Sequence, residues 1–173
     1  MKPWLIVIIV VLCIFASLLL WELGFDIDRH YDRKRKWKCA LADAKKRNRK
    51  IIVIGDRFGS NGTKVAGRGP GYGCGDMCVD LHGCPTCPTS VTSDAKVFLK
   101  TQEGNSATVF ISNVLEYVDD AASTYAEAKR VHGGPPIVVR MHPLCLSSIF
   151  YKGSRWVIHS LEPFKAKRVR LFG

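Results

Sequence analysis

The chain has 173 residues, 26 Lys and Arg against 15 Asp and Glu, and seven cysteines. That length holds one domain of ordinary size, and an apolar share of 47% excludes a chain that is disordered throughout. Collagen-like and low-complexity compositions are absent, and no internal repeat is visible.

The apolar residues are not spread evenly. Trp4 to Trp21 reads WLIVIIVVLCIFASLLLW, 18 residues without a charge and with Ser17 the only polar member. As a helix this run spans about 27 Å, close to the thickness of a bilayer hydrocarbon core. Trp4 and Trp21 stand at its two ends, where indoles favour the membrane interface. A cleaved signal peptide has a shorter apolar core and a small-residue cleavage site. Here the run closes with Trp21-Glu22-Leu23-Gly24-Phe25, so a retained anchor is expected over residues 1–25.

The charge is equally uneven. Residues 24–50 carry 11 basic and four acidic side chains, and residues 152–173 carry six and one. The stretch between them, 51–151, carries eight and nine and is close to neutral. By the positive-inside rule the basic flank after the run belongs in the cytoplasm, which puts the amino terminus outside and the C-terminal domain in the cytosol. Such a flank is also attracted to anionic lipid. Nucleic acid is the other polyanion a basic stripe suits, but no stacking-aromatic pattern or nucleic-acid motif accompanies the charge.

Beyond the anchor, a basic juxtamembrane segment is assigned to 26–49. Asp32 to Arg47 is predicted to be helical, with Trp37, Ala40, Leu41 and Ala44 on one face. Lys50 to Ile54, closed by Gly55, is a β-branched run that reads as a buried strand. Arg57 to Gly75 is a glycine-rich loop, more a flexible connection than a phosphate cradle, because the P-loop lysine spacing is missing. Met77 to Leu81 reads as a second strand, His82 to Ser90 as a loop, and Asp94 to Thr101 as a short helix. Ala107 to Ile111 is a third strand and Asp119 to Val131 a helix closed by Gly133-Gly134. Ile137 to Arg140 is a fourth strand, and Trp156 to Ile158 another. Residues 161–173 are expected to be a basic tail.

Unbroken apolar strands alternating with helices indicate a mainly parallel α/β sheet covered on both faces, a Rossmann-like arrangement over residues 50–160. In such sheets ligands bind beyond the carboxyl ends of the strands. The residues there are Gly55, Asp56 and Gly59 after the first strand, Asp80 after the second, and Asn113 after the third. Gly55 also suits simple strand termination, Asp80 a turn and Asn113 a cap.

The segment SNVLEYVDDAASTYAEAKRV, Ser112 to Val131, resembles the class I S-adenosylmethionine-dependent methyltransferases. It is similar to that family's Leu-Glu-His/Tyr-Val-Asp box and the helix after it. KIIVIGDRFGS, Lys50 to Ser60, resembles the family's first strand and cofactor loop, and DMCVDLHG, Asp76 to Gly83, its second strand. IVVRM, Ile137 to Met141, would be the fifth strand. The resemblance implies S-adenosylmethionine as cofactor, held by Gly55, Asp56, Gly59, Asp80 and Asn113, with Asp80 on the ribose. It implies methyl transfer to an acceptor that the sequence does not name. Asn113, Tyr117 and His142 are the candidate catalytic groups. The sequence departs from the family in placing Val53 at the acidic position of the cofactor loop and Arg57 at its middle glycine. Only 26 residues separate Asp80 from Ala107, which leaves the family's third strand missing or very short. These departures motivate the alternative of a non-catalytic, membrane-tethered scaffold or interaction module.

Cys74, Cys78, Cys84 and Cys87 lie within 14 residues. In a cytosolic domain such a group reads first as structural. A zinc held by four thiolates, or by His82 in place of one, and a redox pair are the alternatives.

Overall fold

The computed structural model describes residues 2–56, 73–146 and 153–169. Its first element, α1, is one unbroken helix over Pro3–Arg47. The helix predicted from Asp32 is therefore the lower third of a rod that starts in the apolar run. Gly24 does not interrupt it, and among the described residues nothing beyond its chain neighbours and the helix's own backbone lies within 4 Å of where its Cβ would be. Among the described residues α1 is the one helix long and apolar enough to cross a membrane, and its apolar window is wholly exposed. At the other end Asn48, in the left-handed conformation, caps the helix and turns the chain into the sheet.

The sheet has five parallel strands in the order β3-β2-β1-β4-β5. These are β1 (Lys50–Ile54), β2 (Met77–Asp80), β3 (Ser90–Thr92), β4 (Ala107–Ser112) and β5 (Ile137–Val139). Helix α2 (Ala95–Thr101) connects β3 to β4, and α3 (Ala121–His132) connects β4 to β5. The α/β class and parallel sheet expected from the apolar runs are present. The third strand is there but only three residues long.

Side chains alternate along the two central strands, and each face finds its own cover. Ile51, Val53 and Phe110 point to α1, where they meet Trp37, Ala40 and Ala44, with Val139 beside them. Ile52, Ile54, Val109 and Ile111 point the other way, into the core shared with Leu99 of α2 and Tyr125, Ala128 and Val131 of α3. The last turns of α1 are thus a layer of the domain, and the lower part of residues 26–49 belongs to its core.

Both short helices are capped by aspartates. Asp94 accepts from the backbone N–H groups of Lys96 and Val97, and Asp120 accepts from Ser123 N–H. His132 is buried at the end of α3 and accepts from Val109 N–H through Nδ1 at 3.0 Å. Burial holds its imidazole below the ordinary range, partly opposed by Asp43 nearby.

Residues 164–168, expected within a basic tail, form a strand instead. β6 (Trp156–Leu161) and β7 (Phe164–Arg168) make an antiparallel hairpin outside the main sheet. The hairpin packs on α3 through Phe164 stacked on Tyr125 at 5.2 Å, and through Glu162 bonded to Tyr125 and Lys129.

Candidate functional site

The sheet order reverses between β1 and β4. The chain leaves β1 toward β2 and later returns to the opposite side of β1 as β4, which opens a crevice at the strands' carboxyl ends. A cleft of about 1380 Å³ lies there. Its floor is Ile54-Gly55 and Val79-Asp80, one wall is Asn113-Val114 with Tyr117, and the far rim includes Ser154 and Arg155.

Asp80 ends β2 in the position expected of it. Its Oδ1 accepts from His82 N–H at 2.9 Å, the short turn that a sequence reading also allowed. Among the described residues its Oδ2 makes no hydrogen bond, so one carboxylate oxygen is available to the cleft. Asn113 follows β4 in the left-handed region, φ 51°, a conformation that Asn tolerates better than most residues. Its N–H continues the ladder to Val139 C=O at 2.9 Å. Its Oδ1 is buried and has no hydrogen-bond partner among the described residues, and the same is true of Ser154 Oγ across the cleft. Buried polar atoms in native proteins are nearly always paired, so two orphans lining one cleft mark where a polar ligand would complete the structure.

Gly55 lies at the floor with φ 83°. A Cβ there would overlap Val114 Cγ2 and press on Ser112 C=O. Glycine is required because the loop after β4 closes over it, and the space above this residue is filled by Val114.

Other expected residues lie elsewhere. Asp56 is 6% exposed and is not among the residues lining the cleft; it lies near enough to Arg33 of α1 for the two charges to interact. Gly59 and Arg57 lie outside the described residues. Tyr117 lines the cleft with its hydroxyl 3.5 Å from Met141 Sδ. His142 does not join Asn113 and Tyr117. The chain after β5 bends toward α1, where the imidazole stacks on Phe25 at 4.5 Å and Nδ1 accepts from Leu144 N–H. It lines a separate, smaller groove with Arg29, Lys36 and Arg140.

Glu116, the acid of the Leu-Glu-Tyr box, carries more structure than the sequence suggests. Its Oε1 accepts from Met141 N–H at 2.7 Å, and its backbone C=O accepts from the N–H groups of Arg155 and Trp156. It thus ties together the loops after β4 and β5 and the entry to β6. Oε2 is buried without a hydrogen-bond partner among the described residues, and burial pushes the carboxyl above its ordinary range.

The four clustered cysteines form two disulfides, Cys74–Cys87 and Cys78–Cys84. In this state they offer no thiolate to a metal. The bridges staple the segment after β2 to Cys74 just before that strand and to Cys78 within it, on the β2 side of the sheet. Cys13, Cys39 and Cys145 are outside the disulfides.

In comparison with known proteins, the chain matches no protein-family model, no curated protein and no solved structure.

Proposed function

We propose that the chain is a membrane-anchored methyltransferase that uses S-adenosylmethionine. The observation that carries this reading is the cleft at the β1/β4 reversal, where, among the described residues, one Asp80 carboxylate oxygen and the buried Asn113 Oδ1 have no hydrogen-bond partner. Asp80 is suited to accept from the ribose hydroxyls, and Asn113 to hold a polar group of the cofactor or acceptor. When bound, the cofactor supplies an activated methyl group, and the work left to the protein is mostly positioning. Tyr117, at the wall of the cleft, is placed to orient the acceptor. His142 faces the smaller groove against α1, and in this reading it has a structural role. The apolar run of α1 anchors the chain and its basic flank contacts anionic lipid; the two disulfides fit an oxidising compartment better than the cytoplasm that the flank's charge suggests.

The test is calorimetric titration of S-adenosylhomocysteine into the full chain in detergent micelles. One-to-one micromolar binding is expected. A hydrogen bond to a charged group contributes about 1.5–3 kcal/mol, so Asp80→Ala is expected to weaken binding about ten- to a hundredfold. Unchanged affinity in that variant, or no binding by folded protein, overturns the reading.

A second reading has its own observation. Val114 fills the space over Gly55, and Val53, at the family's acidic position, is fully buried against α1. A scaffold that kept the fold and lost the cofactor would look like this. It predicts a folded domain without affinity for S-adenosylhomocysteine.

A further inference from the structure

We infer that the cleft opens toward the bilayer and that its acceptor is a lipid headgroup. The inference rests on the anchor and the methyltransferase reading above, and it adds the acceptor's class.

The direction of α1 is the starting point. Asp43 bonds Thr108 near the start of β4 at 2.7 Å. Six residues earlier, Trp37 packs on Phe110, further along the same strand. Arg33 lies near enough to Asp56, just past the end of β1, to feel its charge. Phe25 stacks on His142, beyond the end of β5, and Glu22 accepts from Leu146 N–H at 2.9 Å. Moving up α1 toward the apolar run is therefore moving along the strands toward their carboxyl ends. The helix runs antiparallel to the sheet, and the strand ends that build the cleft face the membrane side.

The gap is small. From Arg33, level with the strand ends, to Trp21, at the end of the apolar run, is about 18 Å of helix. The loop after β5 closes part of that distance. Trp21 Nε1–H donates to Leu144 C=O at 3.3 Å, which sets this loop at interface depth. Leu144 is 59% exposed there, and Leu81, on the rim of the cleft, is 60% exposed. A headgroup layer occupies several ångströms of the remaining space. A polar head rising from the bilayer fits such a gap, whereas a folded protein acceptor does not. Arg168 lines the cleft and forms no ion pair among the described residues, so a cation is available for a headgroup phosphate.

In the transfer, a headgroup heteroatom gives its lone pair to the methyl carbon. The carbon–sulfur bond breaks with its pair left on sulfur, and the acceptor's proton passes to water. The products are a methylated lipid and S-adenosylhomocysteine.

Two measurements on the full chain in nanodiscs test this, with equal phosphatidylethanolamine and phosphatidylglycerol in the discs. The first reads geometry without activity. p-Benzoylphenylalanine replaces Leu81 on the cleft rim or Glu103 in the turn before β4, at the opposite end of the sheet. At least tenfold more photo-crosslinking to lipid is expected from position 81, and equal crosslinking overturns the orientation. The second supplies methyl-labelled S-adenosylmethionine and extracts the lipid. Label in the organic phase, lost in Asp80→Ala, supports the acceptor class. Label found only in protein or water-soluble material, with S-adenosylhomocysteine still bound, overturns the acceptor and leaves the enzyme reading standing. Absence of S-adenosylhomocysteine binding overturns both the enzyme and the acceptor, while the crosslinking ratio still decides the orientation.

Discussion

Replacing Trp37 by alanine removes the largest side chain that α1 contributes to the domain. Trp37 is 2% exposed and meets Phe110 edge-on, with ring centres 5.2 Å apart and planes at 85°. Its neighbours Ala40, Ala44, Ile51, Val53 and Val139 have small or short side chains, and the backbones behind them are fixed by helix or sheet. They cannot collapse into the space the indole leaves, which places the loss in the upper part of the usual range. Truncating a buried Trp costs about 3–5 kcal/mol, of which the aromatic pair accounts for about 0.5–1.5 kcal/mol. A domain's whole stability is about 5–15 kcal/mol, so Trp37→Ala is expected to leave the sheet marginal. The assay is urea unfolding of the full chain in micelles, followed by the fluorescence of Trp156, whose Nε1–H donates to Val118 C=O at 2.8 Å in the fold. Trp37→Phe, which keeps a ring against Phe110, is expected to lose less than half as much. A loss below about 1 kcal/mol in Trp37→Ala, too small for cavity formation in a packed core, would refute the reasoning. The end of α1 would then be a linker and not a layer of the domain.

Three further outcomes are expected. Gly55→Ala is destabilised both by its left-handed backbone and by overlap with Val114. Adding Val114→Ala should recover the overlap part and leave about 1–2 kcal/mol of backbone cost, read from denaturation midpoints of the single and double variants. Glu116 binds its proton more tightly in the fold than in the unfolded chain, so its contribution is complete below its ordinary value of 4.5 and is lost as pH rises through the raised value. Glu116→Gln keeps the acceptor for Met141 N–H, so its stability should be flat across that window, and a variant that still follows the wild-type pH profile would contradict this origin. Alkylation of the denatured, unreduced chain should modify three cysteines, rising to seven after reduction. Seven without reductant would mean that the pairs are open in the cell, as a cytoplasmic domain would require.

Much of the sheet was legible because its strands are buried on both faces. Lys50 to Ile54, Ala107 to Ser112 and Ile137 to Val139 are apolar runs with little polar interruption, and Asp94, Asp120 and Gly133 mark helix ends by chemistry local to them. What failed lacked a local signal or carried a competing one. Ser90–Thr92 is a strand only because it pairs with Cys78–Asp80, and three residues show no period. Phe164 to Arg168 does alternate, with Phe164 and Ala166 packed toward the core and Lys165 and Lys167 outward, but its charge suggested a tail. Of the candidate residues, Asp80, Asn113 and Tyr117 line the cleft because the end of a strand fixes where the next few residues lie. His142 lies apart from them because a loop's direction depends on what it docks against, here Phe25, more than a hundred residues earlier. Disulfide partners cannot be chosen from spacing among four cysteines, for the same reason.

Because α1 passes from the apolar run into the sheet without a hinge, the domain is carried on a rod. A bilayer thicker or thinner than the apolar run is met by tilting such a helix, at a cost of a fraction of a kcal/mol per ångström of mismatch. With the apolar run in a bilayer, as proposed, a rod hands its tilt on to the domain, so bilayer thickness would lean the sheet and alter the height of Leu81 and Leu144 above the lipid. Lipid composition would then act on this protein mechanically as well as chemically. Thickness would set how far the cleft reaches, before any headgroup is recognised.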